Sequence, residues 1–249
     1  MQLAISPDDF HRLEPYLPTG MAGGPSSTPV ERAAGFLARL VLSHRVTPGQ
    51  KVPMDEIALH IGASRTPVRE ALRRLETEGL VASLPNRGFI LRRLEAVEVS
   101  QLYEARQCIE AFVARRAFER RNPGFLDELG SLHGTYEHVL RGPGDCRRLG
   151  MLVDKAFHVR IARQAGNPHL TASLSNMFDR LILTRPIEDF PLGRMGEAVA
   201  EHALALARFQ SGTVDEAEAA LVHNIRNGCE AIVAHLRSPL EFPVSIGTR

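Results

Sequence analysis

Two side chains of one predicted helix could bind a metal ion together. Asp154 and His158 are four residues apart, so both project from the same face of a helix. That face also carries Met151, Ile161 and Ala165, and a polar pair inside an apolar stripe calls for a physical reason. Carboxylate and imidazole groups are ligands of divalent transition metals. The spacing therefore indicates a pair of metal ligands that faces the core of a helical bundle.

Two histidines of the last two predicted helices could complete this site. His202 precedes the turn at Gly212 by 10 residues, and His223 follows it by 11. Both histidines therefore lie about 15 to 17 Å from the turn, at the same height of an antiparallel pair. We predict that these histidines bind Zn²⁺, Ni²⁺ or Mn²⁺ together with Asp154 and His158, and that water or an effector oxygen completes the shell. The alternative is four separate hydrogen-bonded polar groups of the core.

A second group of residues could bind DNA. Arg69 and Arg73 share one face of the third predicted helix, and arginine suits bidentate contact with guanine edges or with phosphate. The start of this helix and the tip of the following hairpin would supply further contacts. The alternative for Arg69 and Arg73 is a solvated helix face. The predicted DNA-binding residues are Arg65, Thr66, Arg69, Arg73, Asn86, Arg87 and Gly88.

The arginines require a small N-terminal unit to position them. Helical periodicity starts at Val30, a second short helix ends at Gly62, and a third has Thr66 as its predicted cap and Gly79 as its stop. Two short strands then flank a hairpin at 85–88. Three helices and a hairpin are the plan of a winged helix-turn-helix.

The metal ligands require a helical bundle. Only amphipathic helices separated by short breakers follow, so we predict an antiparallel six-helix bundle. The fold class is thus mainly α, a winged helix-turn-helix followed by an all-α bundle. The predicted helices span 97–121, 123–141, 145–166, 168–184, 194–211 and 213–236. The predicted domains are a flexible N-terminal extension (1–29), the DNA-binding domain (30–95), the helical domain (96–238) and a tail (239–249).

Composition excludes several classes of protein. The 249 residues are 44% hydrophobic and 24% charged, as in globular proteins. No apolar run approaches the roughly 20 residues of a membrane span, and the N-terminus lacks the pattern of a secretory signal. We therefore expect a cytoplasmic protein without a membrane partner. Residues 30–95 hold 11 Lys and Arg against 7 Asp and Glu, a balance that suits contact with phosphate.

The third helix resembles a known signature. Residues 62–81, GASRTPVREALRRLETEGLV, closely resemble the signature of the GntR family of bacterial regulators. The resemblance implies that Arg65, Thr66, Arg69 and the wing contact operator DNA, and that a homodimer binds palindromic sites. Some members carry an arginine at the start of the preceding helix, where this chain has Asp55. The DNA contact of that arginine is therefore not expected in this chain.

The helical region resembles the FCD branch of the same family. The resemblance rests on residues 104–110, 154–158 and 166–168 and on the two later histidines. It implies that Asp154, His158, His202 and His223 match metal ligands, and that six helices indicate the VanR-like subgroup. Effectors of such domains are often organic acids, which a metal and guanidinium groups can hold by a carboxylate. The residues that match effector-binding arginines are Arg106 and Arg180.

These observations together predict a ligand-responsive transcription regulator, a repressor rather than an enzyme. Its partners would be double-stranded operator DNA and a small carboxylate effector bound near the metal. One alternative is a metal-dependent hydrolase, since a metal with open positions can activate water. No nucleophile motif and no recognisable general base accompany the ligands, however, and an enzyme has no use for the arginine helix. A sensor for the metal itself is a third possibility.

Overall fold

The computed structural model of the chain describes residues 13–18, 27–142, 147–186 and 192–237. The predicted tail (239–249) and most of the predicted extension lie outside these residues. The N-terminal unit consists of α1 (Pro29–Leu42), α2 (Met54–Ile61), α3 (Arg65–Thr77), β1 (Val81–Leu84) and β2 (Gly88–Leu91). The C-terminal unit consists of α4 (Ala96–Glu119), α5 (Pro123–Arg141), α6 (Arg147–Ala165), α7 (Pro168–Leu183), α8 (Leu192–Ser211) and α9 (Val214–Arg237).

The N-terminal unit is the predicted winged helix-turn-helix. Helix α1 packs on α2 and α3, and the two strands pair antiparallel with Val81 opposite Leu91. The hairpin turns at Asn86, whose φ of 58° lies in the left-handed region that Asn tolerates. Ser64, not the predicted Thr66, is the N-cap residue of α3, because the helix begins one residue before Thr66. The predicted stop at Gly79 is confirmed by its φ of 77°.

The C-terminal unit contains six helices within the described residues, and their limits lie close to the predicted ones. Helix α4 packs along α9, α6 and α7, while α5 packs on α6 and α8. Helices α4, α6, α8 and α9 therefore surround the interior where the candidate metal ligands lie. In the part of the chain that the structure describes, no helix combines the length and apolar character of a membrane span.

Part of the predicted flexible extension packs on the bundle. Residues 14–16 form a 3₁₀ turn, and the side chains of Leu13 and Tyr16 are buried. The Arg163 guanidinium of α6 lies 4.3 Å from the Tyr16 ring centroid and donates a hydrogen bond of 2.7 Å to the Pro15 carbonyl oxygen. The expectation of a wholly flexible extension is therefore wrong for residues 13–18, because apolar and aromatic side chains anchor them.

Helix α7 connects the two units. The Leu94 amide donates a hydrogen bond of 2.9 Å to the Thr184 carbonyl oxygen, just after the end of α7. The Asn176 side chain of α7 donates to the Glu78 carbonyl oxygen, at the C-terminal end of α3. A movement of α7 would thus reach the helix that carries the predicted DNA-binding arginines.

Candidate metal centre and DNA-binding surface

Three of the four predicted metal ligands meet inside the bundle. Asp154 and His158 come from α6 and His202 comes from α8, and one ligand atom of each lies within 4.8 Å of the other two. The Asp154 Oδ1 atom is 3.8 Å from Nε2 of His158 and 3.2 Å from Nε2 of His202. The i, i+4 spacing of the first pair places both side chains on the face of α6 that meets α8.

Buried imidazole nitrogens show that these residues fit a metal ion. Nε2 of His158 and Nδ1 of His202 are buried and have no hydrogen-bond partner among the described residues, while Nε2 of His202 has only the Asp154 carboxylate beside it, at 3.2 Å. A buried polar atom without a partner is costly, and a bound cation would satisfy such atoms. One carboxylate and two imidazoles are a donor set suited to Zn²⁺, Ni²⁺ or Mn²⁺.

The protonation of the cluster also suits metal binding. Burial lowers the pKa of His202 and so favours the neutral imidazole, which is the form that binds a metal. Burial alone would raise the pKa of the Asp154 carboxyl, but His202, His158 and Arg106 outweigh it and hold that pKa well below its usual range. The His202 ring also stacks on Phe157, with ring centroids 4.1 Å apart, which fixes its plane.

A second buried carboxylate orients one of the histidines. Glu110 of α4 contacts Nδ1 of His158 through Oε2 and accepts a hydrogen bond of 2.8 Å from Nε of Arg106 through Oε1. Burial alone would raise the pKa of Glu110, but His158 and Arg106 outweigh it and lower the pKa. The ionised carboxylate therefore occupies Nδ1 of His158 and leaves Nε2 for a metal.

His223 does not join the cluster. Its side chain is exposed, and its Nε2 atom lies 3.0 Å from Nδ2 of Asn227. The position of His223 along α9 does not determine the direction in which its side chain points. Successive residues of a helix are rotated by about 100°, and this rotation brings the next residue inward. That residue, Asn224, is 4% exposed and donates a hydrogen bond of 2.7 Å to Oε2 of Glu201. In the sequence, the apolar residues Leu221 and Ile225, both buried, indicate which face of α9 points inward.

A small cavity adjoins the cluster. It has a volume of about 20 Å³, room for roughly one water molecule. Arg106 lines the cavity, with its guanidinium carbon 3.9 Å from the Phe178 ring centroid. Arg194 is also buried there, held by Glu201 at 2.5 Å, and was not predicted. The polar residues that line the cavity are Tyr103, Arg106, Tyr136, Asp154, Arg194 and Asn224.

Arg180 is not brought to this cavity. Its guanidinium lies between the two units, next to Gly79 after the end of α3. A Cβ atom added to Gly79 would lie 3.1 Å from Nε of Arg180. Its Nη2 atom is 3.9 Å from Oε1 of Glu98. The predicted effector-binding role of Arg180 is not supported by this position. Arg180 lies two residues after Phe178 on α7, so its side chain points towards the N-terminal unit and away from the cavity.

The predicted DNA-binding residues lie together on the N-terminal unit. All are exposed except Gly88, which is half-buried at the start of β2. The core stripe of α3 is confirmed, with Val68, Leu72 and Leu75 buried. Arg73 donates a hydrogen bond of 2.8 Å to Glu76 and lies near the Phe89 ring of the wing. The side chains at the start of α3 and the tip of the hairpin remain accessible to a duplex.

A winged helix-turn-helix joined to an all-helical domain defines a class of DNA-binding transcription regulators. Residues 29–91 match the family described as "Bacterial regulatory proteins, gntR family", and residues 101–227 match the FCD domain family. The chain therefore belongs to the GntR family of bacterial regulators and carries an FCD domain. It is a DNA-binding transcription regulator and not an enzyme.

Individual relatives agree with this assignment. The chain is 31% identical over 150 residues to the "Nta operon transcriptional regulator" of Aminobacter aminovorans, covering 60% of this chain and 70% of that protein. It is 28% identical over 201 residues to the "Probable D-xylose utilization operon transcriptional repressor" of Paenarthrobacter nicotinovorans, covering 80% and 86%. Among solved structures, "E. coli McbR/YncC" has a similar fold, with a TM-score of 0.72 at 19% identity, covering 84% of this chain and 98% of that one.

Proposed function

We propose that this chain is a repressor that binds palindromic operator DNA as a homodimer and responds to a small carboxylate bound beside a divalent metal ion. The observation that carries the proposal is the meeting of Asp154, His158 and His202 at a buried cavity that also contains Arg106. The names of relatives such as the Paenarthrobacter repressor support the sign of regulation. The six-helix bundle supports the VanR-like subgroup.

The charges around the cavity favour an anion only when a cation is present. Arg106 is paired with Glu110, and Arg194 is paired with Glu201. Each lining arginine is thus paired with a glutamate, whereas the Asp154 carboxylate forms an ion pair with histidines only among the described residues. A divalent ion would add positive charge beside Asp154, and this charge would attract a carboxylate to the cavity. We infer that binding of the carboxylate depends on the metal.

The residues that would hold the ion are Asp154, His158 and His202. Asn224 faces the same cavity from α9, and its Nδ2 atom is engaged with Glu201, so its amide oxygen is available as a further donor. The ion would supply a positive charge for an effector oxygen. Arg106 would hold the same carboxylate from α4 by charge and by its planar donors.

The cavity must open for an effector larger than water. Phe178 of α7 contacts both Arg106 and His158, and α7 also contacts the N-terminal unit through Asn176. An effector that fits only an opened cavity would shift the population towards states in which α7 has moved. Because α7 also contacts the C-terminal end of α3, a movement of α7 would change the relative placement of the two DNA-binding units in a dimer.

A binding assay tests this proposal. A labelled palindromic duplex recovered by the wild-type protein from a randomised library is titrated with protein that has been stripped of metal or loaded with Zn²⁺, Ni²⁺ or Mn²⁺. Small mono- and dicarboxylic acids are then added to the complex. We expect that an acid releases the duplex from metal-loaded protein only. Release that is equal with stripped protein would contradict the role of the metal.

The small cavity also favours a second candidate, a sensor for the metal itself. A volume that admits one water molecule leaves little space for an organic acid in the present conformation. In that case, the metal alone would change operator affinity, and no carboxylate would add to the effect. Titration of metal into stripped protein separates the two functions.

A further inference from the structure

Two exposed residues of the helix-turn-helix form a bidentate ion pair. Asp55 lies in the first turn of α2, and Arg65 is the first residue of α3. Nε of Arg65 contacts Oδ1 of Asp55, and Nη2 of Arg65 donates to Oδ2 at 2.6 Å. The side chains are 68% and 73% exposed, so the pair lies on the surface that carries Thr66 and Arg69.

Within the described residues, the pair leaves one edge of the guanidinium without a partner. The Asp55 carboxylate accepts hydrogen bonds from the one hydrogen of Nε and from one hydrogen of Nη2. Both hydrogens of Nη1 and the second hydrogen of Nη2 have no partner among the described residues, and one hydrogen from each nitrogen forms a fork of parallel donors. This fork matches the O6 and N7 acceptors of guanine in the major groove. Asp55 therefore does not block the end of Arg65 that would read a base.

We propose that Asp55 is a positioning residue that holds Arg65 for recognition of a guanine in each operator half-site. The proposal rests on the proposed DNA-reading role of Arg65. A free arginine side chain has many rotamers and can turn to any phosphate within reach. The carboxylate restricts these rotamers and repels phosphate, so it favours base contact over contact with the backbone. Asp55 would thus lower the affinity for DNA of any sequence and raise the discrimination between sequences.

The neighbouring residue provides a matched control. Glu56 is on the same helix and pairs with Arg45 at 2.6 Å, with exposed fractions of 39% and 59%. Replacement of either acid by its amide removes one negative charge from α2 and weakens one exposed ion pair. Neutralisation of charge alone raises affinity for any duplex, and this effect is common to both variants. Only the loss of a positioning contact would be specific to Asp55→Asn.

The test compares two duplexes at several salt concentrations. One is the palindromic duplex that the wild-type protein recovers from a randomised library, and the other has the guanines of each half-site replaced. Discrimination is the ratio of the two Kd values, measured by fluorescence anisotropy for wild type, Asp55→Asn, Glu56→Gln and Arg65→Ala. We expect Asp55→Asn to lower discrimination about tenfold, as expected when a bidentate base contact is weakened, and Glu56→Gln to leave it unchanged.

Three results separate the possible failures. Equal discrimination in Asp55→Asn and Glu56→Gln, with Arg65→Ala impaired, would overturn the role of Asp55 and leave the reading role of Arg65 intact. Tighter operator binding by Asp55→Asn with unchanged discrimination would also overturn it, because Asp55 would then only compete with DNA. Unchanged discrimination in Arg65→Ala would instead overturn the proposed reading role itself. The Asp55→Asn effect should be absent in an Arg65→Ala background.

Discussion

The Glu110 carboxylate contacts Nδ1 of His158 in the interior of the bundle, and both side chains are fully buried. An ionised carboxylate can only accept a hydrogen bond, so Nδ1 of His158 is the donor in this contact, and Nε2, which faces Asp154 and His202, is the nitrogen that could bind a metal. Arg106 holds the other oxygen of the same carboxylate. A single acidic residue of α4 thus connects the candidate metal centre to the arginine that lines the cavity.

Replacement of Glu110 should weaken metal binding without removal of a ligand. We expect Glu110→Gln to lower metal affinity about 10- to 100-fold, because a neutral amide orients and polarises the His158 ring less well. Affinity is measured by competition with a chelator of known strength. Glu119→Gln, an exposed acid on the same helix, is the control and should bind metal like wild type. An unchanged affinity in folded Glu110→Gln would show that this carboxylate only supports packing.

Helix α9 should contribute to metal binding through Asn224 and not through His223. His223→Ala should leave metal affinity unchanged, since the ring is exposed and next to Asn227. Asn224→Ala should weaken binding about tenfold, a loss typical of a supporting contact at a metal site. Asn224→His should restore or strengthen it, because imidazole is a good ligand for these metals. A loss of affinity in His223→Ala with normal binding in Asn224→Ala would reverse this assignment.

The two predicted effector arginines should behave differently. Carboxylic acids that raise the Tm of metal-loaded wild type serve as probes. We expect Arg106→Lys to lose this response, because it keeps the buried charge but lacks the planar donors. Arg180→Lys should retain this response, since Arg180 lies beside Gly79 and outside the cavity. Loss of the response in Arg180→Lys alone would contradict the position of the effector.

The N-terminal turn should add to the stability of the bundle. Tyr16→Ala removes a buried aromatic ring, and burial of such a side chain contributes roughly 1.5 to 3 kcal/mol. We therefore expect a lower Tm for Tyr16→Ala and a value near wild type for Tyr16→Phe, which keeps the ring over Arg163. Differential scanning calorimetry of the full chain measures both. An unchanged Tm in Tyr16→Ala would mean that the turn is not docked in solution.

The sequence predicted local structure well because helix stops and periodicity are local properties. Gly79 ends α3 through its backbone conformation, and Val68 and Leu72 are buried because their spacing follows the helix. The shared direction of Asp154 and His158 was also predictable, because their spacing of four residues is a property of one helix. None of these inferences needed knowledge of neighbouring elements.

Other features depend on tertiary contacts that spacing does not encode. His223 is exposed because of the rotation of α9 about its own axis. The similar distances of His202 and His223 from the turn do not determine this rotation. Arg180 lies only two residues after Phe178, yet this step takes it from the cavity to the interface between the units. The docking of Tyr16 on Arg163 joins residues nearly 150 positions apart. Such contacts become visible only in three dimensions.

Metal stoichiometry tests the central proposal most directly. Isothermal titration of Zn²⁺, Ni²⁺ or Mn²⁺ into chelator-treated protein should show about one ion per chain for wild type. The Asp154→Ala/His202→Ala double variant should bind none at that site while it keeps the helical circular-dichroism spectrum of wild type. If the double variant is folded and binds the same ion with the stoichiometry and affinity of wild type, the ion is held elsewhere and the proposed metal centre is wrong.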